Sequence, residues 1–122
     1  MCGIAGYFCR GNREILEKML FALKHRGPDD RGTCISKSVG LGNNRLSIID
    51  LSKNGHQPLF NEDNTICIVY NGEIYNFKDL RKQLDRKHKF KSNTDTEVIL
   101  HAYEEWGTDC LKRLNGMFAF VI

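Results

Sequence analysis

At 122 residues the chain is long enough for one ordinary domain and too short for two. Hydrophobic residues make up 41% and charged residues 27%, with a net charge of +3, a balance that excludes a disordered chain and reads as soluble and globular. No apolar run approaches the roughly 20 residues of a membrane helix, and no basic flank followed by an apolar stretch opens the chain, so the expectation is a cytoplasmic protein with no membrane partner.

In chain order, Ile4 to Phe8 alternates small and bulky apolar residues and reads as a buried strand. Asn12 is placed to cap a helix with Glu14 in its first turn. Ile15, Leu16, Met19, Leu20 and Leu23 follow at helical spacing until His25-Arg26-Gly27-Pro28-Asp29 ends the helix. Three short strands are predicted over 32–36, 39–46 and 59–61, with a turn-rich stretch at Ser52 to Gly55. Glu62-Asp63-Asn64 reads as a hairpin turn into a β-branched central strand over 65–70. Asn71-Gly72 is a turn signal. Asn76 and Asp79 open a helix with Phe77, Leu80 and Leu84 on one face. Thr94 and Glu97 have capping-box spacing, ahead of a stripe of Val98, Ile99, Ala102, Tyr103 and Trp106 that Gly107 stops. After a turn at Asn115-Gly116, residues 117–122 form an unbroken apolar strand. Strands that cluster rather than alternate with helices predict an α+β fold. An apolar strand running to the last residue suggests the front part of a longer protein, because a carboxylate on a core strand is costly to bury.

Five cysteines, at 2, 9, 34, 67 and 110, are odd in number and contain no CxxC, which argues against a disulfide framework or zinc ribbon. Scattered cysteines suit a reducing cytosol. The histidines at 25, 56, 88 and 101 have no HExxH-like spacing, so no metal site is expected. Basic residues gather at Arg81, Lys82, Arg86, Lys87, Lys89 and Lys91. A nucleic-acid footprint wants a wider basic face with stacking aromatics, so a solvated helix face is the expectation and no nucleic-acid partner.

Met1-Cys2-Gly3 is the candidate for chemistry. Trimming of the initiator methionine, common before a small residue, leaves a thiol and an α-amine on one residue. Such an amine titrates near roughly 7.7–8.0 and is partly neutral at physiological pH, so Cys2 would be a nucleophile with its own base. Position alone leaves open the ordinary role of a small hydrophobe.

The segments MCGIAGYF, HRGPDD, NNRLSIIDLSKNGHQPL, YNGEIYNF, SNTDTE and GMFAF, in this order, resemble the class II glutamine amidotransferases within the N-terminal-nucleophile hydrolases. The wording is most similar to the N-terminal glutaminase domain of glutamine-hydrolysing asparagine synthetases, the likeness runs from Cys2 to Phe120, and the domain is read as 2–122. Phosphoribosylpyrophosphate amidotransferase, glutamate synthase and glucosamine-phosphate synthase share the Cys-Gly-Ile start. The resemblance implies a four-layer αββα sandwich, incomplete here at its C-terminus, with L-glutamine as substrate. It also implies a covalently linked synthetase domain outside this chain that uses ATP and Mg, and no cofactor for the glutaminase step. A homodimer is a compatible assembly.

The resemblance further implies the roles of individual residues. Arg45 would fork onto the glutamine carboxylate, and Leu46, Ser47, Ile48 and Ile49 would line the pocket. Asp95 would receive the substrate ammonium with Glu73 as a second acceptor. Asn71 and Gly72, a side-chain amide and a backbone N–H, would be the oxyanion donors. The residues alone leave each open: a strand arginine, an acid opposing a helix dipole, an exposed acid after a turn, an ordinary hairpin. The HRGPD segment is assigned packing only, and Cys9, Cys34, Cys67 and Cys110 the role of buried fillers. Two alternatives to the enzyme remain: a truncated or inactive glutamine-binding module, and the glutaminase half of an amidotransferase acting on a sugar or purine precursor.

Overall fold

A computed structural model describes residues 1–122. The chain runs β1 (Gly3–Phe8), α1 (Arg13–Ala22), β2 (Asp30–Ser36), β3 (Val39–Arg45), β4 (Leu59–Phe60), β5 (Cys67–Ile74), α2 (Phe77–Leu84), α3 (Asp95–Trp106) and β6 (Gly116–Val121), with short 3-10 turns at Lys24–Arg26, Lys53–Gly55 and Gly107–Arg113. The strands form two antiparallel three-stranded sheets, ordered β1-β3-β2 and β4-β5-β6. The α+β class read from the sequence holds.

Local chemistry accounts for most boundaries. The Asn12 side chain accepts from Ile15 N at 2.9 Å and starts α1. Leu16 and Leu20 on that helix are fully buried, and α1 packs on β1 and β3. Its last turn is met by Asn44, whose Nδ2 donates to Leu20 O at 2.6 Å. Thr94 caps α3 by accepting from Glu97 N at 3.3 Å. The Glu97 carboxylate reaches back past Thr94, accepting from Ser92 N at 2.7 Å and Lys91 N at 2.8 Å. Gly107 ends the helix at φ +55°, a conformation that favours glycine.

The main core joins Ile68, Tyr70 and Ile74 of β5 to Leu80 and Leu84 of α2 and to Val98, Ile99, Leu100 and Ala102 of α3. Gln57 stitches the layers together. Its Oε1 accepts from Tyr70 N at 2.7 Å and from Asn43 Nδ2 of β3 at 3.2 Å, while its Nε2 donates to Thr96 Oγ1 at 3.3 Å. One buried amide thus binds both sheets and the start of α3, which satisfies a strand N–H that β4 is too short to reach.

Several expectations need correction. Asn71-Gly72 is no turn. Both residues lie inside β5, opposite Ala119 and Phe118 of β6. Gly72 is required there by close approach, since a Cβ would collide with Met117 O and stand 2.6 Å from Phe118 Cα. β1 is only half-buried, with Phe8 exposed, and Ile15 and Met19 lie at the solvent edge of the α1 stripe. β6 pairs with β5 alone, and its Met117, Phe118 and Val121 are exposed. Asn76 gives its side chain to the loop before β6, donating to Arg113 O and accepting from Asn115 N, instead of capping α2. Of the four cysteines read as fillers, only Cys110 is buried. Cys9 is exposed and Cys34 and Cys67 are half-buried, with burial and the adjacent Cys34 pushing the Cys67 thiol up to about 11.

Candidate active site

The register of β1 on β3 decides where Cys2 lies. Gly3 stands opposite Asn44, so the residue before it meets the chain leaving β3. Cys2 Sγ accordingly accepts from Leu46 N at 3.4 Å and lies 3.7 Å from Leu46 O. From the other side Arg26 Nε donates to Cys2 O at 3.1 Å. Arg26 belongs to the HRGPD segment, to which only packing was assigned. The segment also supplies Asp29, whose Oδ2 accepts from Ser47 N at 2.8 Å. It therefore fixes both the backbone of Cys2 and the stretch that Cys2 faces.

Cys2 opens onto a pocket of about 160 Å³ between the end of β3 and the middle of β5. This is well under the roughly 300–1,000 Å³ of pockets for drug-sized ligands and suits a molecule of amino-acid size. Its wall includes Arg45, Leu46, Ile48 and Ile49 on one side, and Asn71, Gly72, Glu73 and Asp95 on the other. Ser47 is the one anticipated site residue turned elsewhere, into a separate surface groove beside Asp29, Asp30 and His56.

Arg45 is buried, and its guanidinium is already partly engaged. One terminal nitrogen donates to Ser52 O at 3.0 Å and the other to Asp50 O. Of its five N–H donors, those left over are available to a ligand. Asp50 closes this loop by accepting from Ser52 N at 2.8 Å and Asn93 N at 2.9 Å. The backbone bond from Asn93, then the bonds from Ser52 and the nearby Arg45 charge, hold the Asp50 carboxyl below the usual aspartate range.

Asp95 turns toward β5, as the Thr94 cap permits. Its Oδ2 accepts from the Tyr70 hydroxyl at 2.7 Å and from Ile74 N at 3.0 Å. Burial first, and the Asp95 carboxylate second, push the Tyr70 phenol upward, so it stays a donor at any ordinary pH. Glu73 is exposed at the pocket rim, inside the strand rather than after a turn.

The ladder orients Gly72. In an antiparallel pair, alternate residues direct their N–H groups away from the partner strand. Tyr70 N and Ile74 N, two residues to either side, bond to Gln57 Oε1 and Asp95 Oδ2 instead of to β6. Gly72 N has the same parity and faces the pocket. Asn71 brings an amide whose Oδ1 is buried without a hydrogen-bond partner. Asn71 and Gly72 line the same pocket as Cys2, so a side-chain amide and a backbone N–H are both available there, although no turn presents them.

The family described as the glutamine amidotransferase domain matches residues 1–122. The chain belongs to that family. Two glutamine-hydrolysing asparagine synthetases of Bacillus subtilis, numbered 3 and 1, are 41% and 42% identical to it, and one of Arabidopsis thaliana is 43% identical. Each alignment covers all of this chain and 20–21% of the relative, so the chain spans about a fifth of their length. No helix is long and apolar enough to cross a membrane.

Within this glutamine amidotransferase domain, reading the sequence left out Arg26, Asp29, Asp50, Gln57 and Tyr70. Arg26 and Asp29 had a signal, a compact charged motif ending a helix. Gln57 and Tyr70 had none, because an amide in a turn-rich loop and a phenol at the end of an apolar run show no role until their partners are known.

Proposed function

We propose that the chain is the glutamine-hydrolysing unit of an asparagine synthetase and that Cys2, freed by removal of Met1, is its nucleophile. The observation that carries this reading is the placement of Cys2 at one pocket with Asn71, Gly72, Arg45 and Asp95. The Cys2 thiol passes its proton to the Cys2 α-amine and attacks the side-chain amide carbon of glutamine. The oxygen of that amide becomes negative between Asn71 Nδ2 and Gly72 N, which offset the charge. Collapse with proton return expels ammonia and leaves a γ-glutamyl thioester. Water activated by the same amine then releases glutamate.

Arg45 takes the substrate carboxylate with its remaining donors, and Asp95 takes the ammonium on Oδ1, with Glu73 at the rim. Leu46, Ile48 and Ile49 form the apolar side of the pocket. Ser47 acts only through its backbone bond to Asp29.

Helix α1 against one sheet, that sheet touching the other through β1 and β3 on β5, and α2 and α3 beyond it support a four-layer αββα stack. In this reading residues 2–122 are the front of that sandwich. A linked synthetase domain uses ATP and Mg to turn aspartate and the released ammonia into asparagine, in the cytoplasm, while the glutamine step needs no cofactor. The names of the relatives favour asparagine over a sugar or purine product. Cys2→Ala should abolish release of glutamate from glutamine. Hydrolysis by Cys2→Ala at the original rate would remove the mechanism.

A further inference from the structure

We propose that Glu62, His88, His101 and Glu104 form a binding site for a structural zinc ion, apart from the Cys2 pocket. One ligand atom from each lies within 4.8 Å of the others. Glu62 comes from the turn after β4, His88 from the loop after α2, and His101 and Glu104 from successive turns of α3. Such a set leaves no spacing signature in the sequence, which is why the histidines looked unrelated.

The candidate ligand atoms lie close together, with the His88 and His101 rings stacked at 4.5 Å between centroids, so one ring must turn for both nitrogens to meet a single ion. Each turns one atom inward: His101 Nδ1 lies 2.7 Å from Glu104 Oε2 and 3.9 Å from Glu62 Oε2, and His88 Nδ1 lies 3.5 Å from Glu104 Oε2. Each also has its outer atom held or faced by a second group. Asn61 Nδ2 donates to Glu104 Oε1 at 2.8 Å, and Lys89 N to Glu62 Oε1 at 3.2 Å. His88 Nε2 pairs with Glu105 Oε1 at 3.1 Å, and His101 Nε2, buried without a hydrogen-bond partner, faces Glu97 Oε1 at 3.7 Å. A carboxylate behind each coordinating imidazole is the arrangement that fixes tautomer and ring orientation at metal sites.

The donor set selects the ion. Two imidazole nitrogens and two carboxylate oxygens suit a tetrahedral zinc at roughly 2.0–2.2 Å per bond, with four protein ligands closing the shell as structural sites do. Four carboxylates converge on the two rings and Lys87 offsets one of them, at Glu105, so a divalent cation is electrostatically favoured. His101, Glu104 and His88 side chains are buried or nearly so, while Glu62 is 39% exposed and gives the ion a way in. Once bound, the ion would cross-link α3 to the α2–α3 loop and the β4–β5 turn.

The test is titration of the metal-stripped full chain with Zn²⁺ by competition against a chromophoric chelator, and with Co²⁺ as a spectroscopic probe. The expected result is one equivalent bound, with a tetrahedral Co²⁺ spectrum free of thiolate charge transfer. His88→Gln and the more exposed Glu62→Gln should each weaken zinc at least about 100-fold with circular dichroism unchanged. Asn61→Ala, behind a ligand, should weaken it by about 10–100-fold. Absence of stoichiometric binding, equal affinity in His88→Gln, or thiolate absorption placing the ion on the cysteines would overturn the site.

Discussion

The Tyr70 hydroxyl donates to Asp95 Oδ2 at 2.7 Å, tying the strand that carries Asn71 and Gly72 to the first residue of α3. The bond leaves Asp95 Oδ1 for a ligand while holding the carboxylate in one orientation. A hydrogen bond to a charged group is worth about 1.5–3 kcal/mol. Tyr70→Phe should therefore lower unfolding free energy by about that amount in urea titration. It should also raise the KM for glutamine several-fold more than it lowers kcat. An unchanged KM would detach Asp95 from substrate binding.

Arg26 acts on Cys2 through its backbone carbonyl, so its loss should misplace the thiol without touching the groups that hold glutamine. Arg26→Lys keeps the charge and shortens the reach. Steady-state kinetics should show kcat down by roughly 10-fold or more, the scale of about 1.4 kcal/mol, with KM nearly constant.

Gly72→Ala places a methyl against the backbone of β6. Overpacking of this kind typically costs about 1–3 kcal/mol. Because β6 pairs with β5 alone, the strain falls on that ladder. Hydrogen exchange should accelerate at β6 amides such as Ala119, and glutamine hydrolysis should fall with it. Unchanged protection of β6 would refute the close approach as the reason for glycine.

Asp50 links stability to pH. Its folded pKa is lowered, chiefly by the Asn93 N–H, so its contribution is complete above the unfolded value of about 3.9 and is lost as pH falls through the folded value. Asp50→Asn should be less stable than the parent at pH 7, and the gap should shrink below about pH 4. Urea titrations of both proteins across that range measure it. A gap that stays constant into acid would mean that the carboxylate charge contributes nothing.

The helices and the caps of α1 and α3 were legible because their causes are local, whereas the cap read at Asn76 failed because its partners lie near residue 115. Asn12 and Thr94 stand next to the groups they bind, and Gly107 stops α3 by its own backbone. Asn71-Gly72 was misread for the complementary reason. Its turn propensity is local, but pairing with β6, more than forty residues on, overrides it and uses the missing Cβ for strand contact. The pocket residues could be named from the family resemblance, yet their supports could not. Arg26, Gln57 and Tyr70 act through partners distant in sequence, as Glu62 and His88 do with His101.

The identity of the first residue in active protein tests the central claim most directly. Intact-mass spectrometry of the purified chain, after reaction with a glutamine analogue carrying an electrophile at the amide position, should show loss of one methionine and a single adduct on the peptide that begins with Cys2. Active protein that retains Met1, or an adduct on Cys9, Cys34, Cys67 or Cys110 in place of Cys2, would contradict it.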